Sequence, residues 1–356
     1  MKSILFHNPT HLFNMYKDIV LPSGPPEPHH WKLKNLGYGA KVVSNIAIKE
    51  SPVDFLLTSP ISGSTKDHVL YALCLQLCSN CWLIQKSLNM PLNPEPPKSL
   101  SLSSLKLTYF QNIPYTTVFF KRPDNVGVIC FRGTTTIHES IIDAKTGLAT
   151  YRLLPNKSRV PVAYATTLAD GFFEKDKRGL SLHTFIESLI EKHTEIKEYV
   201  ICGHSLGGAW AQLCAYFISQ AGKKIVLTSF APALGSTDTF CSYAATNFDN
   251  ITVINASDIV PRLSSRVSNF DHCCPLLVID VAKSSTFRDR AMSHDMLMYL
   301  FALLEKGSFQ HHAGSLTCNM DIPTSKELLY FEPIDYKHFL PVIKDTAETN
   351  ATDSKE

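Results

Sequence analysis

The order of apolar segments predicts an α/β fold, a central, mostly parallel sheet covered by helices on both faces. Two observations carry this expectation. Short, mostly apolar runs, Tyr199-Val200-Ile201-Cys202, Lys224 to Phe230, Ile251 to Ala256 and Leu276 to Val281, read as strands of a sheet with covered faces. Helical runs separate them, and strands alternating with helices at this spacing indicate a sheet with covered faces. A chain of 356 residues with 44% apolar and 19% charged composition is long enough for one large core or two modest ones.

Residues 1 to 60 show no sustained period and contain the turn-rich run Pro22-Ser23-Gly24-Pro25-Pro26-Glu27-Pro28, so they form an N-terminal segment without a legible role. From Asp67 to about Ser87 the chain is helical in character and apolar on most faces, which predicts a buried helix. The proline-rich stretch Pro91 to Pro97 breaks it. Thr116 to Phe120 and Val126 to Phe131 flank Pro123-Asp124-Asn125, the pattern of two strands joined by a tight turn. Leu182, Phe185, Ile186, Leu189 and Ile190 fall at helical spacing with Glu187, Glu191 and Lys192 opposite, which predicts an amphipathic helix packed on the sheet.

Ala209 to Ile218 reads as a buried helix and about His294 to Glu305 as the last helix, stopped by Gly307. The main domain is expected over 61–310. Residues 311–356 then form a C-terminal extension, polar enough to be disordered from about 344.

Composition narrows the function. A formal charge of +2 and a pI near 8.0, with no strongly basic block, give no nucleic-acid surface. No stretch reaches the roughly 18 uninterrupted apolar residues of a spanning helix, and His7, Asn8 and Pro9 end the first apolar run before a signal-peptide core forms. A cytoplasmic or peripheral membrane location is expected, with export by another route left open. Of the ten cysteines, Cys130, Cys202 and Cys214 sit inside apolar runs and read as reduced core residues. Cys78 and Cys81 have metal-like spacing but fall within the predicted helix with no second ligand pair nearby, so neither a metal nor another cofactor is expected.

Chemistry enters at Gly203-His204-Ser205-Leu206-Gly207. Chance gives a Gly-x-Ser-x-Gly pattern in roughly one chain in ten of this length, so its setting matters more than its letters. It follows a buried strand and precedes a helix. A turn that sharp holds serine in a strained conformation and needs residues without side chains two positions away on each side. Gly203 and Gly207 meet that need, and Ser205 then stands at a helix N-terminus, where developing negative charge is favoured.

Taken with Phe131-Arg132-Gly133-Thr134 and Asp258-Ile259-Val260-Pro261, the run Gly203 to Gly208 resembles the class 3 (fungal-type) lipase family over about residues 110 to 305. The resemblance implies an α/β-hydrolase fold and a triad in the chain order Ser, Asp, His. Asp258 follows the strand Ile251 to Ala256, on the edge where sites of open α/β sheets form, whereas Asp249 and Asp271 precede strands.

Among the five histidines beyond Asp258, His294 begins a helix whose stripe His294, Leu297, Met298 and Phe301 faces inward, with Ser293 as N-cap. His272 comes just before its strand, His311 and His312 lie past Gly307 in an expected surface segment, and His338 lies beyond the resemblance. The expected oxyanion donors are the Leu206 amide and, as the resemblance implies, Thr134.

Residues Thr135 to about Thr150 occupy the place of the family's lid, with Ile137, Ile141, Ile142 and Leu148 as its apolar face; a plain surface helix is the alternative. The chain departs from the family pattern at Ala169-Asp170-Gly171-Phe172, where a histidine often precedes Gly-Phe. The expected activity is hydrolysis of lipid carboxylic esters, acylglycerol or phospholipid, through an acyl-enzyme. A soluble esterase or acyltransferase on the same triad, and a lipase-like interaction module without turnover, remain open, and oligomeric state is not legible.

Overall fold

The computed structural model describes residues 51–61, 65–103, 117–133, 150–155, 161–255, 258, 260–262, 270–273, 275–279, 294–296, 299–300, 309–312 and 328–331. Its sheet has nine strands among the described residues: β1 (Ser101–Leu102), β2 (Thr117–Lys121), β3 (Val126–Phe131), β6 (Glu198–His204), β7 (Lys224–Phe230), β8 (Asp249–Asn255), β9 (Leu276–Ile279), β10 (Phe309–His312) and β11 (Leu328–Phe331), adjacent in that order. The middle, β3-β6-β7-β8-β9, is parallel throughout, and antiparallel strands extend it at both edges. A separate pair, β4 (Tyr151–Leu153) and β5 (Ala163–Ala165), is antiparallel.

The expected strands are present. β6 runs two residues past Cys202, to His204, and β8 starts at Asp249. Asp249 is therefore the first residue of its strand, not a cap before it.

Alternation along the strands sorts the core into two layers. Val128, Cys130, Val200 and Cys202 face the buried side of α2 (Thr65–Ser87), together with Phe55 and Leu56 of α1 (Pro52–Thr58). Ile129, Phe131, Tyr199 and Ile201 face the other layer, built from α3 (Thr166–Phe173), α4 (Leu182–Lys192), α5 (Leu206–Gln220) and α6 (Asp238–Asn247). Every residue of β3 is buried, as a strand covered on both faces requires.

Helix starts follow local chemistry. The Ser51 hydroxyl accepts from the Asp54 N–H at 3.1 Å, and Pro52 stands where its missing N–H costs nothing. Ser181 and Thr184 form a reciprocal capping box on α4.

The first described segment is tied into the core. Arg122, in the turn between β2 and β3, donates to the carbonyls of Leu56 at 3.1 Å and Ser59 at 2.8 Å and pairs with Asp124 at 2.8 Å. Packing therefore reaches back before residue 61. At the other end β10 spans 309–312, so the position where the sequence suggests an extension lies inside a strand, and His311 and His312 pair with β9 and β11. Residues 1–50 and 344–356 lie outside the described residues. Among the described residues, no helix is long and apolar enough to cross a membrane.

Candidate active site

Register brings the motifs to one edge. Phe131 pairs with Gly203 and His204 with Phe230, so β3, β6 and β7 end together at their carboxyl termini. The chain leaves β6 through Ser205, at φ 59° and ψ −128°, and enters α5 at Leu206. This is a costly conformation for a residue with a Cβ. Backbone bonds hold it there: the Ser205 N–H donates to Phe230 O at 3.0 Å, and Ser205 O accepts from Gly208 at 2.9 Å and Ala233 at 3.0 Å.

The glycines are needed for space rather than for dihedral freedom. A Cβ on Gly203 would lie 2.0 Å from Gly207 O, and one on Gly207 would lie 2.6 Å from the carbonyl oxygens of Phe131 and Arg132. Gly133 is equally tight: its Cβ would sit 2.6 Å from His204 O and 3.1 Å from Ser205 Cβ. The Arg132-Gly133 turn thus lies directly against the serine. Thr134 itself lies outside the described residues, as do Ile137, Ile141, Ile142 and Leu148. Leu206 opens α5, where first-turn N–H groups have no carbonyl partner within the helix.

Asp258 and His294 meet 36 residues apart in sequence. His294 Nδ1 lies 2.8 Å from Asp258 Oδ2. Both side chains are almost wholly enclosed, at 4% and 0% exposure. A carboxylate only accepts, so Nδ1 carries a proton, and it is Nε2 that is left to face the nucleophile. That Nε2 is buried and has no hydrogen-bond partner among the described residues. The His204 ring lies 4.5 Å from the His294 ring, tilted by 34°, which places the imidazole beside the residue preceding the serine.

Two further contacts reach Asp258 that the motifs do not disclose. The Val260 N–H donates to Oδ1 at 2.9 Å, and the Tyr299 hydroxyl donates to Oδ2 at 2.7 Å. The available signal for Tyr299 is general: a buried tyrosine needs a partner for its hydroxyl.

One expectation is corrected. His294 is in a turn and Asp295 in a bend, with helical residues from Met296. The Tyr299 N–H reaches back to Asp295 O at 3.4 Å, so Asp295 is the residue that leads into the helix and His294 lies before it. Freedom from the helix lets the imidazole reach a carboxylate on another loop. Ser293, Leu297, Met298 and Phe301 lie outside the described residues.

His272 is occupied elsewhere, with Nε2 at 2.9 Å from Pro261 O. Cys78, Cys81, Cys130, Cys202 and Cys214 are buried free thiols, and Cys81 donates to Asn93 O at 3.0 Å. Burial pushes the thiols of Cys78, Cys202 and Cys214 well above their ordinary range and that of Cys81 to about 12.

A mostly parallel sheet with a strand-serine-helix elbow at its carboxyl edge, and an Asp–His pair on the following loops, defines an α/β-hydrolase. Residues 128–268 match the class 3 lipase family, so the resemblance carried by the three motifs holds over that stretch. Over 104 residues the chain is 32% identical to the chloroplastic galactolipase DONGLE of Arabidopsis thaliana, an alignment covering 27% of this chain and 22% of the relative. Among solved structures it is similar to the triacylglyceride lipase of Rhizomucor miehei, at 18% identity and a TM-score of 0.40, covering 70% of this chain and 80% of that one. The Lip2 lipase of Yarrowia lipolytica aligns at 14% identity and a TM-score of 0.39, covering 52% and 67%.

Proposed function

We propose that the protein hydrolyses carboxylic esters of lipids, with Ser205 as nucleophile, His294 as general base and acid, and Asp258 as the group that fixes the imidazole. The observation that carries this reading is the buried Asp258–His294 hydrogen bond of 2.8 Å, with Nε2 lacking a partner among the described residues beside the Ser205 elbow. Ser205 held at φ 59° at the carboxyl edge of the sheet, with the buried Asp258–His294 pair beside it, supports turnover over an interaction-only role.

In this mechanism Nε2 removes the hydroxyl proton as Ser205 Oγ bonds to the ester carbonyl carbon. The resulting oxyanion is held by the Leu206 amide and by Thr134, next to the glycine that abuts Ser205. His294 then returns the proton to the leaving alkoxide as the C–O bond breaks. Water, deprotonated in turn by His294, attacks the acyl carbon, and His294 gives that proton to Ser205 Oγ as the acyl C–O bond breaks and the fatty acid leaves. Asp258 stays ionised throughout, stabilising the imidazolium.

The substrate class is inferred from the family match and from the galactolipase relative: acylglycerols, phospholipids or other polar lipids with ester-linked chains. Ser205 is 0% exposed and His294 3%. From the family match alone, we assign Ile137, Ile141 and Ile142 to a lid whose apolar face contacts a lipid surface.

A fluorophosphonate probe tests the core of the reading. Wild type should be labelled and Ser205→Ala should not, and detergent micelles should raise the labelling rate. No labelling of folded wild type, with or without micelles, would overturn hydrolysis by Ser205. Release of fatty acid from triacylglycerol, phospholipid and galactolipid vesicles then ranks head groups.

A further inference from the structure

The geometry points to Tyr299 as a positioning residue that holds Asp258 in register with His294 and limits how much negative charge the imidazole feels. The inference rests on the reading of Ser205, Asp258 and His294 given above. Tyr299 is completely buried, and its hydroxyl is used in both directions. It donates to Asp258 Oδ2 at 2.7 Å and accepts from the Asn255 N–H at 3.1 Å.

Asn255 is the last residue of β8, the strand that delivers Asp258, and Asn255 O accepts from the Asp258 N–H at 2.9 Å. Tyr299 therefore ties the carboxylate to the end of its own strand. Its ring is fixed by Phe230 at 6.1 Å and by His204 at 6.1 Å, both edge-on.

The consequence is specific because the oxygen is shared. Oδ2 accepts from both His294 Nδ1 and Tyr299, while Oδ1 is taken by Val260 N–H. A second donor on one oxygen draws charge away from the bond to the imidazole. Tyr299 thus competes with the imidazole for the charge on Oδ2 while preventing rotation of the carboxylate. The other titratable groups at hand are His204, whose ring lies 4.5 Å from that of His294, and Asp295, next in the chain. Tyr299 acts through Asp258, so substrate affinity should not depend on it.

The test is Tyr299→Phe in the full chain, assayed on a water-soluble nitrophenyl ester across pH, together with the far-downfield proton NMR signal of the His294 Nδ1–H. Loss of one donor should leave KM within about two-fold and lower kcat about ten-fold, the scale of part of a charge-assisted hydrogen bond. The acidic limb of kcat/KM should move to higher pH, and the downfield proton should shift.

Because this variant also removes the Tyr299 oxygen that accepts from the Asn255 N–H, a second variant is used: 3-fluorotyrosine at 299 keeps the shape while making the hydroxyl a stronger donor. It should move the limb the opposite way. An unmoved limb and unmoved downfield proton in either folded variant overturn the role of Tyr299 alone. Absence of the downfield proton in wild type, with activity retained by Ser205→Ala, would overturn the triad reading and this inference together.

Discussion

Gly203 and Gly179 show two different needs for the same residue type. Gly203 has no positive φ, but a Cβ there would sit 2.0 Å from one backbone atom of the elbow and 2.4 Å from another. Gly179 has φ +78° and open space around it. Gly203→Ala must therefore push β6 from α5, which should cost 3 kcal/mol or more, about the upper end for overpacking, and abolish probe labelling of Ser205. Gly179→Ala faces only backbone strain, about 1 to 2 kcal/mol, and should label like wild type. Denaturant midpoints and probe labelling of the two variants check this. Equal effects would mean that space at the elbow is not what Gly203 supplies.

At the scale of elements, polar groups inside the core fix how helices sit on the sheet. Gln76 of α2 donates to Phe131 O at 3.3 Å and to Asn80 Oδ1 at 3.0 Å, and its oxygen accepts from Cys130 at 3.3 Å. It thereby pins the helix to the end of β3, two residues before Gly133. Arg122 does the equivalent for α1. Its guanidinium satisfies the carbonyls of Leu56 and Ser59, which close that helix. Arg122→Met should cost about 1 to 2 kcal/mol, since Ser59 O loses its guanidinium donor while Leu56 O keeps only the Tyr71 hydroxyl at 2.8 Å. The exposed half of the pair, Asp124, should matter much less: Asp124→Asn should shift the urea midpoint by under about a third as much. A comparable loss in both variants would place the stabilisation in the ion pair instead.

Across the whole molecule, acid should loosen the fold through carboxylates held below their ordinary range. A side-chain hydrogen bond from Lys121 lowers Glu195 to about 2, and the Arg122 guanidinium lowers Asp124. A depressed folded value means that the stabilisation is complete above the unfolded value and is lost as pH falls through the folded one. For Glu195 that window runs from about pH 4.5 down to about pH 2. Thermal unfolding of Glu195→Gln should therefore fall less between those limits than wild type, with the difference shrinking in high salt because the pair is exposed. Identical slopes would show that Lys121–Glu195 contributes nothing to folding.

Much of this architecture was legible in the chain. Lys224 to Phe230 reads as a strand by its apolar run and is one, residue for residue. Leu182 to Lys192 reads as a helix from its stripe. The Ser205 elbow was legible because strand, turn and helix are contiguous, so local sterics alone demand Gly203 and Gly207. Asp258 was legible from its place after β8.

What the sequence could not disclose depends on contacts between distant segments. The start of the last helix was misplaced at His294, because a periodic stripe continues smoothly into a residue that an Asp258 hydrogen bond draws out of the helix. Tyr299 belongs to no motif in the sequence, and only folding brings it to Asp258, 41 residues away. Sequence by itself determined the elements, their order and the candidate nucleophile, since those rest on propensity, period and steric space within a few residues. Only tertiary structure decided which donors share the Asp258 carboxylate and which face of the sheet each helix covers, because such choices are made by hydrogen bonds and packing across the sheet.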